Sequence, residues 1–356
     1  MAKENNSTMK HNHQSRSIEQ LLISPLEIFT TIIRELQHAR KSIDMEFYIF
    51  EGDRIGTTIA HILCRKARQG VRVRLLVDGY GSRNLPQGVR RMMIANGIEF
   101  RHSPILGHCR NHRKMIIIDN TTALVGGINI ADRYISGNSL GVWHDAALLL
   151  TGGTIIKGLS SLFEHDYTPK AHCTMDISLS TSTPMLYWSE CGGGECMTRL
   201  LKDIVDGAER EILFTTPYFM PPRRLLNIFG RAIERGVRIR VIIPERCDIL
   251  LLDDVIHHSI EEARQLGIEI CVIRGAFLHA KLALVDSCRV VIGSANLDSR
   301  SLSLNRELMV SSSNRAICHT ARLFVDRLQQ IATPPGKNEK KCFLPRIIIR
   351  SVMPLM

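Results

Sequence analysis

Apolar residues recur along the first half of the chain with two periods, one typical of helices and one typical of strands. After Pro25, apolar residues three and four positions apart predict an amphipathic helix at 26–39. Residues 42–50 alternate between apolar and other side chains, which indicates a strand. Similar patterns predict a helix at 55–68, a strand at 71–77, a helix at 87–95 and a strand at 98–100. This alternation predicts an α/β fold with a mixed, mainly parallel sheet.

The second half of the chain repeats this pattern and adds a final helix at 314–331. Gly70-Val-Arg-Val-Arg74 is matched by Gly236-Val-Arg-Ile-Arg240. We therefore predict two α/β/α lobes of one fold, related by a pseudo-twofold axis. The predicted divisions are a disordered leader at 1–18, an N-terminal lobe at 19–167, a linker at 168–183, a C-terminal lobe at 184–333 and a basic, apolar tail at 334–356.

One polar motif is also duplicated, and its two copies are 167 residues apart (279 − 112). His112-x-Lys114, four apolar residues and Asp119 are matched by His279-x-Lys281, four apolar residues and Asp286. Further along, Gly126-Gly127-Ile128-Asn129 is matched by Gly293-Ser294-Ala295-Asn296. A single His-x-Lys pair on a strand is usually an ordinary surface feature, but a second copy in the same register indicates one half-site made twice.

The residue types of the half-site suit phosphoryl chemistry. Side chains two apart on a strand share a face, so each His lies beside its Lys. Imidazole acts as a nucleophile or as an acid and base near neutral pH. The ammonium group stabilises a phosphoryl oxygen, and the Asn after the Gly-rich turn adds an amide donor. Two facing half-sites would surround one phosphate, and this arrangement requires no metal or cofactor.

The duplicated motif resembles the signature of the phospholipase D superfamily, His-x-Lys-x4-Asp in two copies. The resemblance implies that His112 attacks phosphorus to form a phosphohistidine and that His279 protonates the leaving alcohol and then activates the acceptor. It also implies an acid beyond each His that orients the imidazole: Asp145 lies 33 residues after His112 and Glu307 lies 28 after His279.

The remaining motif residues receive supporting roles. We expect Asp119 and Asp286, although part of the catalytic motif, to serve its architecture more than proton transfer. We expect Asn129, Asn296, Gly127 and Ser294 to bind substrate.

Within this superfamily the chain resembles the bacterial cardiolipin synthases from about residue 22 to 330. The resemblance rests on the segments around Tyr48-Ile-Phe50, Trp143-His-Asp145, Pro217-Tyr-Phe219 and residues 293–307. It implies transphosphatidylation, in which one phosphatidylglycerol gives up glycerol and a second one accepts the phosphatidyl group. Many members begin with two membrane-spanning helices, whereas no window of this chain is apolar enough to span a bilayer, so it resembles a shorter branch.

Composition adds expectations about partners. A formal charge of +11 favours anionic partners, among which an anionic phospholipid membrane containing phosphatidylglycerol is preferred. Nucleic acid, and with it a phosphodiesterase or nuclease activity, stays open as the alternative, although aromatic content is only 5%. A non-catalytic membrane scaffold is a third reading, which two complete motifs disfavour. We expect a monomer, located peripherally on the cell (inner) membrane.

Two short segments are ambiguous. The ten cysteines are scattered and no secretory signal opens the chain, so we expect reduced thiols, and we read the loop from Cys191 to Cys196 as flexible rather than metal-binding or disulfide-bonded. The tail interleaves basic and large apolar residues. That composition fits either an interfacial membrane anchor or a last element docked on the domain.

Overall fold

The structure of the protein is a computed structural model that describes residues 17–104, 108–168, 184–193, 195–249 and 252–335. The predicted leader up to residue 16, the linker from residue 169 and the tail from residue 336 lie outside the described residues.

The N-terminal lobe is built on a seven-stranded sheet with the order β1-β8-β6-β5-β2-β3-β4. Parallel pairs join β2, β3 and β4, and the other neighbouring strands of this sheet are antiparallel. The helices and strands of this lobe are β1 (Ile18–Leu22), α1 (Pro25–His38), β2 (Ser42–Phe47), α2 (Arg54–Arg68), β3 (Arg72–Val77), α3 (Gln87–Ala95), β4 (Glu99–His102), β5 (Met115–Ile118), β6 (Thr122–Gly126), α4 (Arg133–Ser136), β7 (Val142–His144), β8 (Ala147–Thr151) and α5 (Thr154–Tyr167).

The C-terminal lobe has an eight-stranded sheet with the order β19-β13-β12-β10-β15-β16-β18-β9. Its parallel pairs join β10, β12 and β13, and its other pairs are antiparallel. Its elements are β9 (Met185–Ser189), α6 (Glu195–Asp206), β10 (Glu211–Thr215), β11 (Phe219–Met220), α7 (Arg223–Glu234), β12 (Arg238–Pro244), α8 (Leu252–Gln265), β13 (Glu269–Ile273), β14 (Ala276–Leu278), β15 (Leu282–Val285), β16 (Arg289–Gly293), β17 (Leu297–Asp298), α9 (Ser299–Ser303), β18 (Glu307–Ser312), α10 (Arg315–Ile331) and β19 (Ala332–Thr333).

The predicted two-lobed α/β fold with mixed sheets is confirmed, and local sequence explains where several helices begin. Pro25 is the first residue of α1, where a missing N–H has no helical partner to lose. Asp53 caps α2 by accepting a hydrogen bond from the N–H of Gly56 at 3.0 Å. Asn314 caps α10 in the same way through the N–H of Ala316, at 2.9 Å.

The motif strands β5 and β15 are buried on both faces, as their apolar runs predict. Alternate residues of β5 point to opposite sides: Ile116 and Ile118 contact the core of their own lobe, whereas Met115 and Ile117 join a second core. That second core also contains Leu282 and Leu284 of β15 together with apolar residues of α5 and α10. The two lobes therefore share a hydrophobic core directly beneath the duplicated motifs.

One covalent bond also joins the lobes, and it corrects the expectation of reduced thiols. Cys109 and Cys191 form a disulfide with a Cα–Cα distance of 5.6 Å across a sequence separation of 82 residues. Cys191 is thus bonded to a distant cysteine rather than to Cys196, which is a buried free thiol at the start of α6. No sequence pattern indicates this pairing, because the bonded residues are brought together only when the lobes associate.

Candidate active site

Each motif histidine is held by the acid of the opposite lobe. Nδ1 of His112 lies 3.0 Å from both carboxylate oxygens of Glu307, and Nδ1 of His279 lies 2.7 Å from Oδ2 of Asp145. The expectation that each acid serves the histidine of its own lobe is therefore wrong. In both pairs the carboxylate lies on the Nδ1 side of the imidazole. In His112 this leaves Nε2 for chemistry, whereas Nε2 of His279 lies 2.9 Å from Nζ of Lys281.

Backbone pairing across the lobes explains the exchange. The N–H of His112 donates to the carbonyl of Arg306 at 3.0 Å, and the N–H of His279 donates to the carbonyl of His144 at 2.8 Å. The residues before His279 form β14, which pairs in parallel with β7 of the other lobe. Each chain segment that precedes a histidine thus runs beside the segment that precedes the opposite acid, as a pseudo-twofold relation requires.

In the His112 half of the site, charged neighbours strongly favour the ionised form of the acid. Burial opposes the ionisation of Glu307, but His112, Lys114 and a hydrogen bond from Ser294 together lower the pKa of Glu307 to about 2. Burial lowers the pKa of His112, and Glu307 opposes that effect. The ring of Tyr48 meets His112 edge to face at 5.0 Å between centroids, and Nζ of Lys114 lies 5.3 Å from the same Tyr48 ring. A carboxylate fully ionised at neutral pH therefore supports the imidazole of His112.

The His279 half is more apolar. Trp143 and Tyr134 lie within 5.5 and 5.1 Å of the His279 ring, between centroids. Burial raises the pKa of Asp145 to about 6, despite the opposing charge of Lys281. Burial and the positive charges of Lys281 and Lys114 lower the pKa of His279 well below its usual range. In the absence of an anion, His279 is therefore neutral at physiological pH.

The two motif lysines are buried beside their histidines. Nζ of Lys114 donates to the carbonyl of His112 at 2.5 Å, and Nζ of Lys281 donates to the carbonyl of His279 at 2.6 Å. Burial lowers the pKa of both, in the case of Lys281 to about 8. Two ammonium groups that repel each other in a site of low polarity provide a binding position for an anion, because a bound phosphate would neutralise them.

The structure places Gly127 and Ser294, both expected to bind substrate, behind the acids. A Cβ atom on Gly127 would lie 2.6 Å from Oδ1 of Asp145 and 3.1 Å from Cδ of Lys281. A side chain at this position would therefore push Asp145 and Lys281 out of place. At the equivalent position of the other lobe, the hydroxyl of Ser294 donates to Oε2 of Glu307 at 2.5 Å. Both residues therefore shape the acid's position, and the hydroxyl of Ser294 is already engaged.

The two motif asparagines are buried at equivalent positions in the two lobes. Oδ1 of Asn129 accepts from the N–H of Ile49 at 3.0 Å, and its amide nitrogen donates to the hydroxyl of Tyr134 at 2.5 Å. The amide nitrogen of Asn296 donates to Oδ2 of Asp298 at 3.1 Å, while its Oδ1 is buried without a partner among the described residues. Each amide nitrogen keeps a second hydrogen, which remains the donor we propose for substrate.

The motif aspartates lie at the far end of their strands, five residues after the motif lysines and therefore about 16 Å from them. Asp119 accepts from the N–H groups of residues 40, 41 and 42, and Asp286 accepts from those of residues 209, 210 and 211. Both have positive φ, 54° and 49°, at the tight turn that closes the motif hairpin. Their placement suits the architectural role that the sequence predicted.

Sequence reasoning missed three residues that the structure brings to the site. Tyr134 is a buried aromatic residue of α4 whose position gave no signal in the sequence. Tyr48 belonged to a segment identified only through the family resemblance. Arg113 occupies the variable position of the first His-x-Lys motif, yet its side chain is completely buried and bonded to both lobes. Only the contrast with Ala280 in the second copy could have drawn attention to it.

A cluster of potential metal ligands also occurs in the described part of the chain. Ligand atoms of His165, Asp166 and Glu190 lie within 4.8 Å of one another. Asp166 and Glu190 already form ion pairs with Arg113 and Arg306. Because both carboxylates are already paired with guanidinium groups, we interpret the cluster as an ion-pair network and not as a metal site.

Comparison with known proteins identifies the family. The family described as "Cardiolipin synthase, PLD-like domain" matches residues 32–167 and 201–328. The chain belongs to the cardiolipin synthase family of phospholipase D-like proteins. It is 31% identical over 359 residues to the cardiolipin synthase of Clostridium perfringens strain SM101, a match that covers 92% of this chain and 75% of that relative.

Two further similarities agree with this assignment. The chain is 31% identical over 317 residues to the probable cardiolipin synthase YwiE of Bacillus subtilis, covering 84% of this chain and 63% of YwiE. The crystal structure of phosphatidylserine synthase from Haemophilus influenzae superposes with a TM-score of 0.74 at 14% identity and covers 94% of this chain and 92% of its own. At 14% identity, the similarity to phosphatidylserine synthase supports the fold alone. Within the described ranges, no helix combines the length and apolar character needed to cross a bilayer.

Proposed function

We propose that this protein is a phosphatidyltransferase that makes cardiolipin from two molecules of phosphatidylglycerol. The observation that carries the proposal is the pair of crossed histidine–carboxylate contacts, in which each lobe holds the histidine of the other. The charge of His112 also lowers the pKa of His279, which supports a single site. Family membership supports the same reaction class. With His112 as nucleophile, His279 as general acid and the two lysines as ammonium groups, the proposed site suffices for phosphoryl transfer between alcohols.

In the first step, Nε2 of His112 attacks the phosphorus of phosphatidylglycerol. The N–P bond forms, the P–O bond to the glycerol headgroup breaks, and His279 gives its proton to the leaving glycerol oxygen. Glu307 supports this step because its carboxylate stabilises the positive charge that His112 acquires. The anionic phosphodiester offsets the repulsion from Lys114 and Lys281, so its binding raises the pKa of His279 towards the protonated form.

In the second step, the neutral His279 takes the proton from a headgroup hydroxyl of a second phosphatidylglycerol. The hydroxyl oxygen attacks phosphorus, the N–P bond breaks, and cardiolipin leaves as His112 is restored. In both steps we assign stabilisation of the phosphoryl oxygens to Lys114, Lys281 and the amide groups of Asn129 and Asn296.

The substrate implies a membrane partner. We propose peripheral association with an anionic bilayer, supported by the formal charge of +11, and action as a monomer because one chain contributes both half-sites. Purified protein is expected to co-sediment with phosphatidylglycerol vesicles and to be released by salt. Equal binding to phosphatidylcholine vesicles would contradict the electrostatic part of this proposal.

The direct test is to incubate the purified protein with phosphatidylglycerol vesicles in the presence of EDTA. We expect cardiolipin and free glycerol in equal amounts, because each transfer releases one glycerol. We expect EDTA not to reduce them, because the lysines supply the positive charge that stabilises the phosphoryl oxygens. His112→Ala is expected to abolish the product, and His38→Ala, an exposed histidine of α1, serves as the matched control.

The other outcomes identify the alternatives. Phosphatidic acid without cardiolipin would indicate hydrolysis, and cutting of single-stranded DNA in a parallel reaction would indicate a nuclease. Loss of cardiolipin formation on chelation would contradict the metal-free mechanism.

A further inference from the structure

Arg113 forms a buried connection between the lobes next to the proposed nucleophile. It lies between His112 and Lys114, so its side chain leaves the backbone on the opposite face from theirs. Nε donates to the carbonyl oxygen of Glu307 at 3.3 Å, and Nη2 donates to the carbonyl of Ser189 at 2.7 Å. The main chain of the acid that orients His112 is therefore held from behind by the residue that follows His112.

Two carboxylates neutralise this guanidinium. Nη1 of Arg113 donates to Oδ2 of Asp166, and Nη2 donates to Oε1 of Glu190 at 2.7 Å. Arg306, immediately before Glu307, lies 3.3 Å from Asp166 and 3.2 Å from Glu190. Burial opposes the charge of Arg113, but these carboxylates keep its pKa above the usual value, so the side chain stays ionised. These four groups form an ion-pair network beneath the His112–Glu307 contact, which His165 joins through Asp166 and on which the buried Glu46 also acts.

The second half of the molecule has no counterpart to this network at the equivalent position. Residue 280, which is 167 positions after Arg113, is a buried alanine whose carbonyl accepts from the hydroxyl of Thr215 at 3.0 Å. There the His279–Asp145 pair is supported by aromatic contacts with Trp143 and Tyr134. One half-site is thus braced by an ion-pair network and the other by apolar packing.

We infer that Arg113 is a positioning residue for the His112–Glu307 pair. Its planar guanidinium group holds the backbone of Glu307 and so sets the geometry of the first, phosphoenzyme-forming step. The inference rests on the proposed function. Lysine would keep the positive charge but could not reach the carbonyls of Glu307 and Ser189 together with the two carboxylates, because it has a single nitrogen.

The test compares Arg113→Lys and Arg113→Met with the wild-type protein in a rapid-quench measurement of phosphoenzyme formation. Misplacement of a nucleophile by an ångström lowers its rate by about 10- to 100-fold, which is the loss we expect in both variants. Arg238→Met is the matched control, because Arg238 is half exposed and pairs with Glu211 away from the site. Rates are normalised to the folded fraction from near-ultraviolet circular dichroism.

A pH profile separates positioning from a merely structural role. Glu307 opposes the effect of burial on His112, so a weakened contact lets the pKa of His112 fall further. An NMR titration of the His112 imidazole, which is separate from the ionisation of Asp145 that limits the rate, should then give a lower pKa in Arg113→Lys and a smaller decrease in Glu190→Gln. A reduced rate with an unchanged pKa of His112 would overturn the inference, as would a normal rate in both Arg113 variants. Absence of phosphoenzyme from the wild-type protein would overturn the proposed function as well.

Discussion

Asp145 and Lys281 are two residues of the site whose ionisation falls within the range of ordinary assays. Asp145 must be ionised to orient His279, and burial raises its pKa to about 6. Lys281 must be protonated to stabilise the phosphoryl oxygens, and burial lowers its pKa to about 8. Activity of the free enzyme is therefore limited at low pH by protonation of Asp145 and at high pH by deprotonation of Lys281.

We predict a bell-shaped dependence of kcat/KM on pH, with limbs near 6 and 8. Activity should rise as Asp145 ionises and fall as Lys281 is deprotonated. Lys281→Arg, which keeps its charge at high pH, should move the basic limb upward even where its absolute rate is lower. Initial rates with phosphatidylglycerol in detergent micelles test this, and a profile that stays flat from pH 5 to 10 would contradict the assignment.

At the scale of elements, the disulfide joins two segments that support the His112 half-site. Cys109 lies three residues before His112, and Cys191 follows Glu190, which belongs to the ion-pair network of Arg113. A covalent link between distant segments stabilises a fold mainly by restricting the unfolded chain. The bond therefore holds the segment before His112 against the turn between β9 and α6.

We predict that Cys109→Ser, or reduction of the wild-type protein, lowers the free energy of unfolding by about 2–4 kcal/mol. Cys288→Ser is the matched control, since Cys288 is an exposed free cysteine. Chemical denaturation with and without reductant provides the measurement. Identical midpoints for the wild-type protein under both conditions would argue against a stabilising bond.

Part of the arrangement of these elements could be predicted from the sequence. The equal spacing of the two motifs was enough to predict two similar lobes, the buried strands β5 and β15 and the convergence of His112 with His279. It could not predict which acid faces which histidine, because Asp145 and Glu307 occupy equivalent places in their lobes and β7 pairs with β14 only after the lobes associate. The disulfide and the environment of Arg113 depend on the same association, and they were missed for the same reason.

At the scale of the whole molecule, duplication has produced a site that neither lobe contains alone. Each lobe supplies one histidine, one lysine and the acid for the other lobe's histidine. The shared hydrophobic core below the motifs, the ion pairs of Arg113 and the disulfide all fix the two lobes relative to each other. Differences between the halves, such as Ser294 opposite Gly127 and Arg113 opposite Ala280, give the two histidines unequal surroundings, which supports unequal roles.

The most direct test of these unequal roles is to locate the covalent intermediate. The protein is mixed with phosphatidylglycerol labelled at phosphorus, quenched at alkaline pH within milliseconds, digested and mapped by mass spectrometry. We predict a phosphatidyl group on His112, its absence in His112→Ala, and both slower formation and slower turnover in His279→Ala. A phosphatidyl group found on His279, or full activity with no covalent intermediate on either histidine, would contradict it.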